Sequence, residues 1–193
     1  MSHFFAFLDR MKFIRRWSLM RSVRDENIME HSAQVAMLAH ALALITNERC
    51  EGKVDVEKAV LYALYHESSE VMTGDLPTPI KYRNEKIRDS YHEIEAEACG
   101  KLLGMLPEPL RAEMSKSILP DADTAEYRIM KCADKLSAYI KCLEELRAGN
   151  KEFSKAAATI ARELEAKAQE LPALRYFMSE FIPSFALTLD ELE

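Results

Sequence analysis

One short segment of the chain brings an imidazole and two carboxylates together. His66 and Glu67 are adjacent, and Glu70 follows three residues later. If the segment is helical, a rotation of about 100° per residue puts all three side chains within one arc of the helix surface. That arc overlaps an apolar stripe, so these groups would face inward and need hydrogen bonds, charged partners or a metal ion. Imidazole with carboxylate is an ordinary ligand set for a divalent transition metal.

Two further residues are candidates for the same site. His31 lies near the start of a long apolar segment and shares a helical face with the apolar residues four and seven positions later. A lone histidine there would be a packed core residue, but a second inward imidazole favours a shared metal site. Asp134 lies at the edge of another apolar stripe. Its spacing alone favours an ion pair with Lys131 or Lys135, and a ligand role is the alternative.

The elements that must position these residues are helices. Glycine and proline are scarce, with 5 and 7 residues in the chain, which favours helix over irregular structure. We expect helices at about 3–13, 28–47, 56–73, 84–105, 109–117, 124–148, 152–170 and 173–181. The second is apolar enough to be buried on most sides. Gly74 should end the third in a left-handed cap, before a stiff non-helical loop over 75–79. The fold class is therefore an all-α, single-domain bundle over residues 1–193.

Composition and charge exclude several other classes. With 48% hydrophobic and 30% charged residues in 193, the chain is an ordinary globular protein. A net charge of −6 argues against a nucleic-acid polymer or an anionic membrane as partner. The sequence contains no run of about 18 uncharged apolar residues, so it predicts no membrane span. Four cysteines without a C-x-x-C pair suggest free thiols and a cytoplasmic protein. Residues 1–24 carry six Lys/Arg against one acid, a local field suited to a small anion.

These residues carry a resemblance to a known family. Glu30-His31-Ser32, His66-Glu67 and Ala133-Asp134-Lys135 resemble the H…HD…D metal signature of HD-domain phosphohydrolases. Arg16-Trp17, the segment TGDLPTPIKY from Thr73 to Tyr82, and Tyr139 to Glu145 are similar to the bacterial 5′-deoxynucleotidase family. The similarity covers essentially the whole chain, and the TGDLPTP segment is more specific than the scattered metal ligands.

The resemblance implies an HD-type helical bundle, usually homodimeric, that releases phosphate from deoxyribonucleoside 5′-monophosphates. It implies a divalent cation, such as Co²⁺, Mn²⁺ or another transition metal, held by His31, His66, Glu67 and Asp134. Arg16 would orient the phosphate and Trp17 would line the sugar and base. The substrate would also contact His31, Glu67 and Asp134 and the loop residues Asp75, Leu76, Pro77 and Thr78. Glu70 would take a proton from water and Asp75 would give one to the leaving oxygen, or the reverse.

One residue departs from the family pattern. Glu67 stands where the family has aspartate, so its carboxylate lies one C–C bond, about 1.5 Å, further from the backbone. Two alternatives to a 5′-deoxynucleotidase therefore stay open. One is an HD-type metal-binding module whose catalysis is altered or lost at Glu67. The other is an HD phosphohydrolase with a different small phosphate substrate.

Overall fold

The computed structural model describes residues 1–81 and 83–192, and within these ranges it is helical with no β-strand. Tyr82, the last residue of the TGDLPTPIKY segment, lies outside the described residues. The α-helices are α1 Phe4–Leu8, α2 Ile28–Arg49, α3 Val56–Tyr65, α4 Glu70–Thr73, α5 Thr78–Lys81, α6 Glu85–Gly104, α7 Leu110–Ile118, α8 Ala125–Arg147, α9 Ser154–Glu170 and α10 Pro172–Glu180. Single 3₁₀ turns cover Asp9–Phe13, Lys151–Phe153, Ile182–Ala186 and Leu189–Glu191. This confirms the all-α expectation.

Helix α2 is the central element of the larger hydrophobic core, and it packs against α3, α8 and α10. Its start is well defined, because the Asn27 side chain accepts hydrogen bonds from the N–H groups of Met29 and Glu30. The Glu30 carboxylate accepts in return from the Asn27 N–H, which completes a capping box. This cap sets the register that directs His31 into the core.

Helix α2 is less completely buried than its composition suggests. Met37 is 67% exposed and Leu44 is also exposed, while Val35 and Leu42 on the other face are fully buried. By length and hydropathy alone α2 could cross a membrane, and half of that apolar stretch is buried inside the structure. Its packing against three other helices is that of a core helix.

A second, smaller hydrophobic cluster lies beside the first. It contains Phe4 from α1, Leu102 from α6 and Ile118 from α7, and Ile28 at the start of α2. Because Ile28 and His31 lie on the same first turns of α2, the smaller cluster supports the end of the helix that carries the histidine.

The helix predicted over residues 56–73 is broken, contrary to the sequence prediction. Helix α3 ends at Tyr65, and residues 66–69 form a turn in which the N–H groups of Ser68 and Glu70 donate to the carbonyls of Tyr65 and Glu67, both at 3.0 Å. His66, Glu67 and Glu70 therefore do not share the surface of one continuous helix. The imidazole of His66 donates from Nδ1 to the Ala63 carbonyl at 2.6 Å, a bond that competes with the regular helical pattern.

Gly74 has a positive φ, as predicted, but it does not adopt the left-handed helical cap. Its φ of 72° and ψ of 165° lie in a region open almost only to glycine. The chain therefore leaves α4 in an extended direction toward Asp75. The following loop is shorter than expected, because α5 begins at Thr78.

The four cysteines are free thiols. Cys99, Cys132 and Cys142 are buried, and burial raises the pKa of each thiol, to about 11 for Cys99 and Cys142. Cys50, just after α2, is half-buried.

Candidate active site

The four predicted metal ligands meet at one point. One donor atom each from His31, His66, Glu67 and Asp134 lies within 4.8 Å of the other three. The two imidazole Nε2 atoms are 3.3 Å apart, and Glu67 Oε1 is 3.2 Å from Nε2 of His66. Asp134 Oδ1 is 3.2 Å from Nε2 of His31. Helix α2, the turn after α3, and helix α8 each contribute to this cluster, which we call the four-residue cluster.

Both imidazoles are oriented by hydrogen bonds on their far side. The Ser137 hydroxyl donates to Oε1 of Gln34 at 2.6 Å, so its oxygen accepts from Nδ1 of His31 at 3.0 Å. His66 donates from Nδ1 to the Ala63 carbonyl. With Nδ1 of each ring engaged on its far side, Nε2 of each ring is directed at the other members of the cluster. Two Nε2 lone pairs and two carboxylates at this spacing fit one divalent cation.

The carboxylates of the cluster favour positive charge on the imidazole of His66. Burial opposes charge on His66, but Glu67 and Asp134 outweigh it and raise the His66 pKa to about 9. Burial likewise disfavours the Asp134 and Glu67 carboxylates, yet the imidazoles hold both pKa values well below their usual range. For His31, burial and then the positive charge of Arg16 lower the pKa. The cluster is therefore a strongly anionic site that stabilises positive charge.

The cluster opens toward solvent on its carboxylate side. His31 is fully buried, whereas the side chains of Glu67 and Asp134 are 19% and 20% exposed. The ion pair expected from the spacing of α8 also forms, since Asp134 Oδ2 is 3.6 Å from Nζ of Lys131. Asp134 thus uses one oxygen toward each partner, and the two interpretations of its spacing are compatible.

Glu70 lies behind Glu67 and is buried. Burial, then the charge of Glu67 and a hydrogen bond with it, raises the pKa of Glu70 to about 11, so the carboxyl is neutral at pH 7. Within the described chain, Oε2 of Glu70 is buried without a hydrogen-bond partner. A neutral carboxyl with an unpartnered oxygen beside a metal-binding cluster can exchange a proton with a ligand.

Arg16 lies on the other side of the cluster, in the loop between the first 3₁₀ turn and α2. Its Nη1 donates to Oε2 of Glu26 at 2.8 Å, and both side chains are only 13% exposed. Burial opposes charge on Arg16, but Glu26, followed by Asp134 and Glu67, raises its pKa above the usual value. The guanidinium is therefore a fixed positive charge within the field of the cluster.

Trp17 follows Arg16 with a left-handed backbone, φ 59°. Its indole N–H donates to the same Glu26 oxygen at 3.1 Å, and its ring packs against Phe153 with centroids 5.3 Å apart. The backbone N–H of Trp17 lies close enough to Asp75 to lower the pKa of its carboxyl. The loop of residues 15–27, which carries Arg16 and Trp17, therefore lies next to the loop that follows Gly74.

Asp75 is half-buried at the junction of the two loops. Burial raises its pKa, and Arg16 opposes that shift. Leu76 and Pro77 are also half-buried, and Thr78 is exposed at the start of α5. The structure places these three outside the four-residue cluster, on the chain that leads away from Asp75.

The positive field predicted for residues 1–24 is largely neutralised. Within the described chain Arg15 pairs with Asp25 at 3.1 Å, Arg24 with Glu30 at 3.7 Å and Lys12 with Asp9 at 2.7 Å. The net charge of residues 1–24 does not include Asp25 and Glu30, because these two acids lie just beyond that segment.

Sequence reasoning missed three residues of this region: Gln34 and Ser137, which orient His31, and Glu26. A weak signal existed for Glu26, because an acid close in sequence to a buried arginine is a natural partner. Which acid of Asp25 and Glu26 faces Arg16 depends on the loop conformation. The contact of Ser137 with His31 spans 106 residues and has no local signal.

Solved structures of HD-domain phosphohydrolases share this fold. The crystal structure of an HD-domain phosphohydrolase from Listeria innocua matches with a TM-score of 0.81, covering 95% of this chain and 88% of that one at 22% identity. The HD phosphohydrolase of cyanophage S-2L, solved with dA and one catalytic Zn²⁺ ion, matches with a TM-score of 0.62 over 93% of this chain and 96% of its own at 20% identity. The fold is that of the HD-domain phosphohydrolases.

Sequence comparison narrows the class. The chain belongs to the 5′-deoxynucleotidase YfbR-like family, whose model matches residues 3–185. The 5′-deoxynucleotidase of Vibrio atlanticus is 52% identical over 192 residues, which cover 99% of this chain and 98% of that protein.

Proposed function

We propose that this protein is a divalent-metal-dependent 5′-deoxynucleotidase, which hydrolyses deoxyribonucleoside 5′-monophosphates to deoxynucleoside and phosphate. The observation that carries the proposal is the four-residue cluster, whose two Nε2 atoms and two carboxylates converge beside a buried arginine. Membership of a family whose relatives are named for this activity supports it over the two alternatives left open by Glu67.

The cation is held, in this proposal, by His31, His66, Glu67 and Asp134. A divalent cation supplies Lewis acidity there, lowering the pKa of water and polarising a phosphoryl oxygen. The extra methylene of Glu67 is compatible with this role, because Glu67 Oε1 already lies 3.2 Å and 3.8 Å from the two imidazole Nε2 atoms. The partly exposed carboxylates of Glu67 and Asp134 make that side of the cluster accessible to the phosphate end of a substrate, and His31 lies fully buried behind them, 3.2 Å from Asp134.

Arg16 binds and orients the phosphate. Glu26 takes one N–H of its guanidinium, and the remaining donors match the oxygens of a phosphate dianion. A buried, permanently charged guanidinium also stabilises the negative charge of the transition state. Trp17 places its ring next to Arg16, where it lines the sugar and base.

Glu70 and Asp75 move protons. Burial is the largest cause of the raised pKa of Glu70, which supports a neutral carboxyl that gives its proton to the leaving 5′-oxygen. Burial raises the pKa of Asp75, while the charge of Arg16 and the nearby Trp17 N–H oppose that shift, so in this proposal its carboxylate takes the proton of the attacking water. This ordering is the reverse of the first assignment made from the sequence.

Leu76, Pro77 and Thr78 contact the nucleoside. Because Pro77 and Pro79 stiffen this segment, it can crowd the 2′ position and disfavour a ribose. Turnover of dAMP and AMP at equal rates would contradict that part of the proposal.

The test is phosphate release by metal-stripped protein reloaded with Co²⁺, Mn²⁺, Zn²⁺ or Mg²⁺, against paired deoxy- and ribonucleoside 5′-monophosphates. We expect metal-dependent release from the deoxy set. Glu67→Asp is run in parallel, and we expect it to retain activity within about tenfold, because the donor type is unchanged.

Two results would favour the alternatives. An inactive native chain that becomes active as Glu67→Asp would indicate a metal-binding module silenced by one methylene. Metal-dependent release from other small phosphate esters, with none from deoxynucleotides, would indicate a different phosphohydrolase.

We also propose that the protein is a cytoplasmic homodimer of a single HD-type domain over residues 1–193. Free, buried thiols support a reducing compartment. Apolar side chains on the outer face of α2, Met37 and Leu44, are candidates for a subunit contact. Light scattering of the native chain and of Met37→Glu tests this, since a monomeric native chain would contradict it.

A further inference from the structure

We propose that Glu26 is a positioning residue: its carboxylate holds the Arg16 guanidinium and the Trp17 indole in one arrangement facing the four-residue cluster. The proposal deepens the function proposed above, on which its catalytic consequence rests. Glu26 itself is not placed in contact with the substrate or the cation.

The geometry at Glu26 is a double acceptor. One oxygen, Oε2, accepts from Nη1 of Arg16 at 2.8 Å and from Nε1 of Trp17 at 3.1 Å. The backbone adds a third link, because the Arg16 N–H donates to the Glu26 carbonyl at 2.9 Å. An isolated antiparallel β-bridge between Arg15 and Asn27 pairs the two ends of the loop. Two side chains of different chemistry are thus tied to one carboxylate that the loop backbone itself fixes.

The two tied residues need such a restraint. Trp17 has a left-handed backbone, which is unfavourable for a bulky residue and persists only where its surroundings over-determine it. Arg16 lies in the field of Asp134, Glu67 and Asp75, all of which attract its charge. Glu26 supplies the competing attraction on the other side.

Loss of Glu26 therefore has a specific consequence. The guanidinium would turn toward the cluster carboxylates, where it would compete with the cation and would no longer present its free donors to a phosphate. The indole would lose its only hydrogen bond within the described chain. Both changes follow from one carboxylate, so activity and the surroundings of Trp17 should change together.

Trp17 is the only tryptophan in the chain, so its fluorescence reports this arrangement directly. The experiment compares the native protein with Glu26→Gln, Glu26→Asp and the matched control Asp25→Asn. Asp25 is the neighbouring acid and pairs with Arg15, but both of these side chains are largely exposed. Three quantities are measured: acrylamide quenching of tryptophan emission, the Tm, and kcat and KM for dAMP.

We expect Glu26→Gln to raise the quenching constant and to lower kcat/KM by roughly 10- to 100-fold, because small displacements of a phosphate-orienting group are costly. Glu26→Asp, which is too short to keep both contacts, should give a smaller change in the same direction. Asp25→Asn should leave both quantities within about twofold of native, as for an exposed pair. Native quenching and native kcat/KM in a folded Glu26→Gln variant would overturn the proposal.

The variants distinguish failure of the proposed function from failure of the proposal for Glu26. If the native chain releases no phosphate, the proposed function fails, but the quenching of Trp17 still tests the role of Glu26. If Glu26→Gln does not fold, Glu26→Asp decides, since it keeps the buried charge opposite Arg16. A fall in Tm with unchanged quenching and unchanged kcat/KM would assign Glu26 a structural role only, and would overturn the proposal.

Discussion

The four-residue cluster and the loop of residues 15–27, which carries Arg16, lie on opposite sides of the candidate site. Different kinds of contact hold these two regions in place. His31 and Asp134 sit on α2 and α8, whose inner faces are apolar and buried, as at Val35 and Leu136. The loop of residues 15–27 packs Trp17 and Met20 against the larger core, but its backbone is also held by polar contacts. Glu145 on α8 accepts from the N–H groups of Val23 and Arg24 at 2.8 and 3.3 Å.

The buried pair of Lys141 and Glu145 completes the attachment of the loop. Lys141 Nζ lies 2.5 Å from Oε1 of Glu145 and donates to the Arg24 carbonyl at 2.6 Å, and Asn150 donates to the Arg21 carbonyl at 2.7 Å. Apolar packing is spread over many contacts and is insensitive to pH, whereas this attachment depends on a few charged groups. Changes of charge or pH that displace the loop on the phosphate side should therefore leave the structure of the metal-binding side intact.

The largest expected effect is on the metal side. Asp134→Asn removes an anionic ligand from helices that pack independently of it, so activity should fall by about 10³-fold while the fold persists. Phosphate release, metal content and circular dichroism measure this. Lys131→Gln, which removes the outer ion pair of Asp134 and leaves its carboxylate in place, is the control. A large loss of helix in Asp134→Asn would contradict the contrast.

The next effect is on the loop. Glu145→Gln breaks a buried pair and leaves Lys141 uncompensated, which should destabilise the protein by about 3–5 kcal/mol in chemical denaturation. Glu144→Gln, at the exposed neighbouring position, should change stability by less than about 0.5 kcal/mol. Equal losses of stability in the two variants would show that the buried pair contributes no more than an exposed acid.

The same residue predicts an acid dependence. Burial disfavours the Glu145 carboxylate, but hydrogen bonds from Lys141, Val23 and Asn150 outweigh it and lower its pKa to about 2. A lowered folded-state pKa contributes stability above the usual value of 4.5, and that stability is lost as the pH falls from there toward 2. Glu145→Gln should therefore flatten the stability profile across this window. A profile parallel to that of the native chain would contradict the assignment.

A smaller effect is expected behind His31. Ser137→Ala removes the acceptor that keeps the His31 proton on Nδ1, so metal affinity should fall by about 10- to 100-fold, measured by titration with Co²⁺. Ser32 is the matched control, because it is also buried and its hydroxyl lacks a hydrogen-bond partner within the described residues. Ser32→Ala should leave affinity unchanged, and an equal loss in both variants would indicate general disruption.

The smallest effect concerns the turn that joins the two sides. Gly74→Ala places a side chain on a backbone at φ 72° and ψ 165°, although no atom blocks the space a Cβ would fill. The cost is therefore conformational, about 1–3 kcal/mol, and it should appear in the Tm. A native Tm would show that the turn can adopt another conformation.

The contrast between apolar helix packing and polar attachment of the loop also determines what the sequence could predict. Helices α2 and α8 were predicted nearly to their ends, because their apolar periodicity and their caps are local properties. The convergence of His66 and Glu67 with His31 was anticipated, but from a continuous helix that the structure breaks at Tyr65. Periodicity does not record the hydrogen bond from the His66 side chain to the Ala63 carbonyl, which accompanies the end of the helix.

The polar attachments were beyond local reasoning. Glu145 was known only as part of a family motif, and its contacts with Val23 and Arg24 lie 122 and 121 residues away in the chain. The net charge of residues 1–24 overstated their positive field, because pairing with Asp25 and Glu30 requires the loop to fold back. Such contacts depend on tertiary geometry, which neither propensity nor spacing contains.

The distribution of the cysteines has a practical consequence for labelling chemistry. Thiolates are the reactive form of cysteine, and burial keeps Cys99, Cys132 and Cys142 protonated and shielded. Cys50, at the end of α2 opposite to His31, is the half-buried exception. A maleimide dye should therefore attach at one position on the native chain, remote along α2 from the histidine, without any cysteine having to be removed by mutation.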